Sequence, residues 1–262
     1  MPRMKSDTSN RSRAFVAVVR CSVALSLLLA SMITPSSSQV TMKLGGGVGV
    51  TIPASDFTGS ALEYYHGSRY GLSSGLNLHA KAKVGLSGLD FAGEIHYSSL
   101  RNTGYSEPGQ GTMDISQEVL SVKVGPEFRL SLPALPVTSY VGANVSMNRF
   151  NGETSFQGVA KVPSGTYSVK GATRFGAGIS AGTEVNLGPF MSFDFNVSYN
   201  LMNLFGKGWE DVNAGVDQRV DSYLALNDDQ DPLIAAGDDK HFISGQRNIR
   251  TIQFTVSVLF GF

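Results

Sequence analysis

The sequence predicts an all-β fold: an eight-stranded antiparallel up-and-down transmembrane β-barrel with short periplasmic turns and long extracellular loops. Three observations predict it. Apolar and polar residues alternate with period two over eight segments, the signature of strands with unlike faces. The connections between those segments alternate strictly between short and long, as a membrane barrel requires. Past residue 38 no apolar run approaches the roughly 20 residues of a spanning helix, and a closed barrel is the other structure that satisfies its backbone inside a bilayer.

The first strand covers 41–52, with Met42, Leu44, Val48, Val50 and Ile52 on one face and Lys43, Gly45, Gly47, Gly49 and Thr51 on the other. The second, 75–86, sets Leu76, Leu78, Ala80, Ala82, Val84 and Leu86 against Asn77, His79, Lys81, Lys83 and Gly85. A helix would spread those lysines around its circumference, whereas a strand gathers them on one side. Ser87-Gly88 is a tight turn into the third strand, where Leu89, Phe91, Ile95 and Tyr97 alternate with Asp90, Glu94, His96 and Ser98. The fourth strand, 118–132, carries Leu120, Val122, Val124, Phe128 and Leu130, and the turn Pro133–Pro136 leads to the fifth, 137–149. The sixth covers 172–187; after Gly188-Pro189 the seventh presents Met191, Phe193, Phe195, Val197 and Tyr199; the eighth covers 249–262. The long gaps are 53–74, 100–117, 150–171 and 200–248.

Lipid solvates the outside of such a barrel, so the apolar face is expected outward and the polar face inward. An eight-stranded lumen is just wide enough for side chains to fill it. The Ser87-Gly88 turn sets Lys81 opposite Glu94 and His79 opposite His96. Buried charges require partners, so Lys81, Lys83, Asp90, Glu94, Lys123, Glu127, Arg129, Glu184 and Asp194 are expected to form an ion-pair network plugging the lumen. Glu184 and Asp194 fall close to opposite each other and need a basic neighbour or a shared proton. The glycines at 45, 46, 47, 49, 176, 178 and 182 are expected mostly inward, leaving room for longer lumenal residues.

Residues 1–38 read as a cleaved signal peptide, and 39–262 as the barrel domain. Arg3, Lys5, Arg11, Arg13 and Arg20 precede the apolar run Cys21–Ile33, and Ser36, Ser37 and Ser38 offer small residues for cleavage. The mature chain would hold 16 basic and 20 acidic side chains, a net charge of −4, which speaks against nucleic acid as a partner. Cys21 is the one cysteine, so the mature chain has none and disulfide, Cys–zinc and thiol chemistry are excluded.

The last strand, Phe254, Val256, Val258, Phe260 and Phe262 alternating with polar or small residues, together with Tyr140-Val141-Gly142-Ala143, resembles the small outer-membrane barrels of the OmpA/OmpX type. The resemblance spans the mature chain. It implies the bacterial outer membrane as location, and it implies that the terminal strand is read by the barrel-assembly machinery. No segment resembles the peptidoglycan-binding domain of full-length OmpA, so no cell-wall tether is expected.

His96-Tyr97-Ser98 resembles the centre of PagL-type lipid A deacylases, in which a histidine activates a serine; Glu118 would be a candidate orienting acid. The sequence departs from that pattern after Ser98, with Ser99-Leu100, and the alternation turns both residues away from lipid. No catalytic set is expected. In the last gap Asp228, Asp229 and Asp231 lie among many carboxylates, but the spacing matches no calcium loop, so neither a metal nor a cofactor is expected. Trp209, Tyr97, Tyr105 and Tyr199 are candidate interface aromatics. The leading functional expectation is a non-enzymatic barrel with a plugged lumen, presenting its loops for envelope integrity or adhesion. A narrow porin-like channel and a lipid A hydrolase are the alternatives. The expected partners are outer-membrane lipid and lipopolysaccharide, the assembly machinery and an extracellular ligand on the loops.

Overall fold

The computed structural model describes residues 40–66, 68–86, 88–107, 110–131, 137–159, 162–205 and 247–261. The signal segment, Trp209, Asp228, Asp229, Asp231 and Phe262 lie outside the described residues. Eight antiparallel strands close into a barrel in sequence order: β1 (Thr41–Ser55), β2 (Gly75–Leu86), β3 (Leu89–Glu107), β4 (Gln110–Ser131), β5 (Val137–Gln157), β6 (Gly165–Asn186), β7 (Met191–Leu201) and β8 (Ile249–Gly261). One short helix, α1 (Ala61–Tyr65), interrupts the first long connection. No helix among the described residues is long and apolar enough to span a membrane.

Each strand is inside out relative to a soluble sheet. Val48, Leu78, Phe91, Ile95, Val122, Val145, Phe175, Phe195 and Phe254 are exposed outward, while Lys81, Lys83, Lys123, Asn148, Asp194 and Gln253 are buried within. Hydrocarbon, not water, must surround that outer surface. Gly88 takes φ 88° in the β2–β3 turn, a left-handed conformation that glycine adopts without steric cost. The turn sets Lys81 opposite Glu94 and His79 opposite His96.

Two of the four expected long loops are largely strand. The pairing of β3 with β4 continues to Glu107↔Gln110, and that of β5 with β6 to Phe156↔Gly165, so 100–117 and 150–171 are mostly tall ribbons rather than loops. Along these ribbons the alternation changes sides. On β3 the apolar residues face out up to Tyr97, then Leu100 faces in; on β4 Met113, Ile115 and Val119 face in, then Leu120 and Val122 face out. The change of phase follows the change of solvent. Lipid solvates the lower outer face, and water the upper one. Tyr97, Leu120, Arg149 and Thr173 share the row where the change falls, and Tyr105 stands well above it, outside any interface girdle.

The inward apolar residues of the ribbons receive the first connection, 56–74. Phe57, Tyr64, Tyr65, Tyr70 and Leu72 pack onto Leu100, Met113, Ile115, Phe150, Phe156 and Ile249 as one buried cluster at the extracellular end. Phe57 meets Tyr70 and Phe150 edge-on at 6.0 and 5.9 Å. Fully burying side chains of this size is worth about 1.5–3 kcal/mol each. Ser60 starts α1 by a capping box: its hydroxyl accepts from the Glu63 N–H, and the Glu63 carboxylate accepts from the Ser60 N–H. That backbone bond from Ser60 holds the Glu63 carboxyl below the usual carboxylate range. Asn102 of β3 donates to the carbonyls of Gly59 (3.1 Å) and Gly71 (2.6 Å), and so clamps both limbs of the connection. Tyr64 Oη meets Thr154 Oγ1 at 3.0 Å, and Asp56 exchanges backbone and side-chain bonds with Asn248. This cap carries no period that the sequence could reveal.

Candidate functional site: the lumen

Period two turns Lys43, Lys81, Lys83, Lys123 and Arg129 inward, with Asp90, Glu94, Glu127, Glu184 and Asp194 facing them. Four of these cations pair with the five anions, while Lys123, expected in the same network, bonds amide oxygens instead. Lys81 is the hub, with Nζ at 2.9 Å from Glu94, 2.8 Å from Glu127 and 3.0 Å from Asp194. Lys83 Nζ lies 2.9 Å from Glu127, 3.6 Å from Glu184 and 3.5 Å from Asp194. Nearer the periplasmic mouth, Lys43 pairs with Glu184 and Arg129 with Asp90. The neighbouring carboxylates Glu184 and Asp194 therefore each have basic partners, and Ser192 donates a further bond to Glu184 at 2.9 Å.

Tyr140 sits among these charges, a residue that the sequence marked only within the stretch Tyr140-Val141-Gly142-Ala143. Its hydroxyl donates to Asp194 (2.7 Å) and accepts from Asn196 (2.9 Å) and Lys81 (3.3 Å), while Lys83 Nζ rests 4.0 Å from its ring centre. Its even position on β5 places it with Gly142, Ser146 and Asn148 on the inner face, so alternation alone could have found it. Lys43 was legible in the same way.

Above the ion pairs, hydrogen bonds to uncharged side chains fill the lumen. His79 and His96 stack at 5.0 Å, and His79 Nε2 bonds Ser257 Oγ at 2.6 Å. Lys123 donates to Asn200 Oδ1 (3.0 Å) and Gln253 Oε1 (2.6 Å). Thr51, Asn77 and Ser98 complete a hydrogen-bonded floor beneath the apolar cap. Three glycines make this filling fit. A Cβ added at Gly45, Gly47 or Gly49 would fall 1.9, 1.9 or 2.2 Å from a β8 carbonyl oxygen, so only glycine lets β1 meet β8 so closely. Opposite them on β2 stand Lys81, His79 and Asn77.

His96 and Ser98 share the inner face but do not bond each other. His96 Nε2 bonds Glu94 (2.7 Å) and Nδ1 meets Asn77 Oδ1 (3.2 Å); Ser98 Oγ bonds Thr51 (2.9 Å) and accepts from Asn77 (2.8 Å). Glu118 faces outward, opposite Ser99, so it cannot orient His96. His96 and Ser98 therefore lack the hydrogen bond between base and nucleophile that acyl transfer needs. Among the described residues no cluster of His, Cys, Asp or Glu could hold a metal ion. Phe254, Val256, Val258 and Phe260 all face out on β8.

A closed barrel with a lipid-facing apolar belt and an inward charge network defines an integral outer-membrane β-barrel protein. The chain belongs to the outer membrane protein beta-barrel domain family, whose model matches residues 21–219. It is a protein of the bacterial outer membrane. No curated protein matches it by sequence. Among solved structures it is similar to neisserial surface protein A, at 15% identity over 86% of this chain and 99% of that one, TM-score 0.44. It is also similar to OprG of Pseudomonas aeruginosa, at 10% identity over 86% and 97%, TM-score 0.45. A major outer membrane protein of Thermus thermophilus matches at 12% identity over 84% and 99%, TM-score 0.48.

Proposed function

We propose that this chain is a non-enzymatic, non-conducting barrel that anchors an extracellular β-sheet in the outer membrane for contact between cell surfaces. The observation that carries the reading is the filled lumen beneath a tall, four-stranded wall. The ionic layer, the hydrogen-bonded floor and the apolar cap follow one another from the periplasmic mouth to the top. Above the lipid boundary β3, β4, β5 and β6 continue as a sheet whose outer face carries Arg101, Thr103, Tyr105, Asp114, Glu118, Arg149 and Glu153, mixed in sign and solvated. β2 ends at Gly75, so it no longer flanks β3 beyond Ser99. The outer belt contacts lipid and lipopolysaccharide, and β8 is the segment the assembly machinery reads.

Three measurements test this. Purified chain in planar bilayers should give no discrete conductance steps; steps would favour the narrow-channel reading. Cells displaying the chain should aggregate, and Arg101→Ser/Tyr105→Ser/Asp114→Ser should abolish aggregation while the barrel stays heat-modifiable on gels. Aggregation unchanged by the triple variant, or absent with the native chain, would reject surface contact as the role. The hydrolase alternative is checked by lipid A mass spectra of cells carrying the native chain or Ser98→Ala, which should be identical.

A further inference from the structure

A small cavity interrupts the filled lumen. It measures about 20 Å³, and Glu94, Lys123, Glu127, Asn144, Ser180 and Ser198 are among its lining residues. A cavity holds a water once it offers about 10–15 Å³ to a water-sized sphere and two to four polar partners. This one has room for a single molecule. Asn144 Oδ1 is buried with no hydrogen-bond partner among the described residues, so its desolvation is uncompensated. Lys123 presents the complementary need. An ammonium has three N–H donors, and the amide oxygens of Asn200 and Gln253 take two of them.

We propose that this cavity is a built binding site for one water molecule, which donates to Asn144 Oδ1 and accepts from Lys123. Its second hydrogen goes to a lining carboxylate, Glu94 or Glu127. The charges on the walls select a neutral ligand. A bare cation would share the chamber with the Lys123 ammonium, and a halide would share it with two carboxylates. Water alone satisfies both an orphaned acceptor and a spare donor. The site also explains how a fully buried lysine is held by neutral amide partners: the water adds a third dipole to its shell.

Crystals of the native barrel grown in rubidium salt and in bromide salt decide the matter. The site predicts one density peak within hydrogen-bond reach of Asn144 Oδ1 and Lys123 Nζ, with no anomalous signal in either salt. A rubidium signal would make it a cation site, a bromide signal an anion site, and an empty chamber a dry void; each overturns the proposal. In Asn144→Leu the peak should be lost and the barrel retained; a peak that persists there would overturn the role given to Asn144. If that variant fails to fold, the native crystals still decide.

Discussion

Replacing Lys81 with methionine removes the cation that three carboxylates share, and keeps most of the volume. Lys81 is 2% exposed and lies within 3.0 Å of Glu94, Glu127 and Asp194. Removing one partner of a buried ion pair costs about 3–5 kcal/mol, because the other charge stays buried and uncompensated. Here the loss is cushioned. Glu127 and Asp194 keep Lys83 at 2.9 and 3.5 Å, and Glu94 keeps His96 at 2.7 Å. The lower end, about 3 kcal/mol, is therefore expected, roughly two decades in the folding constant. The assay is a urea titration in lipid vesicles, read from the gel shift between folded and unfolded bands. Glu94→Gln in the Lys81→Met background should restore part of the loss, with a coupling of about 1 kcal/mol or more. A loss below about 1 kcal/mol, or no greater than that of the exposed control Arg69→Met, would refute the claim that Lys81 holds the lumen together.

Val145→Arg places a cation on the outer face within the lipid band and should cost about 2–4 kcal/mol, whereas Ser155→Arg, above the band, should be near neutral; equal effects in vesicle titrations would contradict the boundary. Phe57→Ala removes a fully buried ring from the cap, so hydrogen exchange over 57–72 should rise by orders of magnitude, consistent with the roughly 3–5 kcal/mol such truncations cost, while β2 and β7 stay protected. Gly47→Ala puts a methyl where 1.9 Å separates it from the Val256 carbonyl oxygen; the heat-modifiable band should largely vanish, and a normal yield of folded barrel would show that the β1–β8 seam tolerates side chains. Because the Glu63 carboxyl is depressed, its contribution to the α1 cap is present above the ordinary carboxylate range and is lost as pH falls through the lowered value; exchange at 61–65 that rises already on mild acidification would contradict this.

Strand by strand, the lower barrel was legible because a single solvent geometry governs it. Each residue from Leu76 to Leu86 or from Phe91 to Tyr97 has one lipid side and one lumen side, and period two records that directly. The register followed from one two-residue turn, so the placing of Lys81 opposite Glu94 came with it. The ribbons were hidden by the same physics. Where β3 leaves the membrane, apolar residues move from the outer face at Tyr97 to the inner face at Leu100, and a broken alternation reads as the end of a strand. Phase breaks at Val119–Leu120 and at Met147–Phe150 repeat the pattern, so the break itself was the usable signal of the boundary. The cap gave no such cue. Phe57, Tyr64, Tyr70 and Leu72 have no common period, and their burial depends on partners more than 25 residues away, such as Leu100 and Phe150. Within the lumen, charge and parity pointed to the ionic residues, while the weight of Tyr140 emerged only when β5, β7 and β2 closed around it.

Sidedness is the claim on which the rest depends, and a nitroxide scan tests it most directly. Single cysteines at positions 91–98, spin-labelled in lipid vesicles, report collision with dissolved oxygen, which concentrates in hydrocarbon. The structure predicts maxima at Phe91, Gly93, Ile95 and Tyr97 and minima at Ala92, Glu94, His96 and Ser98. Maxima at the even positions, or a flat profile, would contradict an apolar belt turned to lipid around an ionic interior.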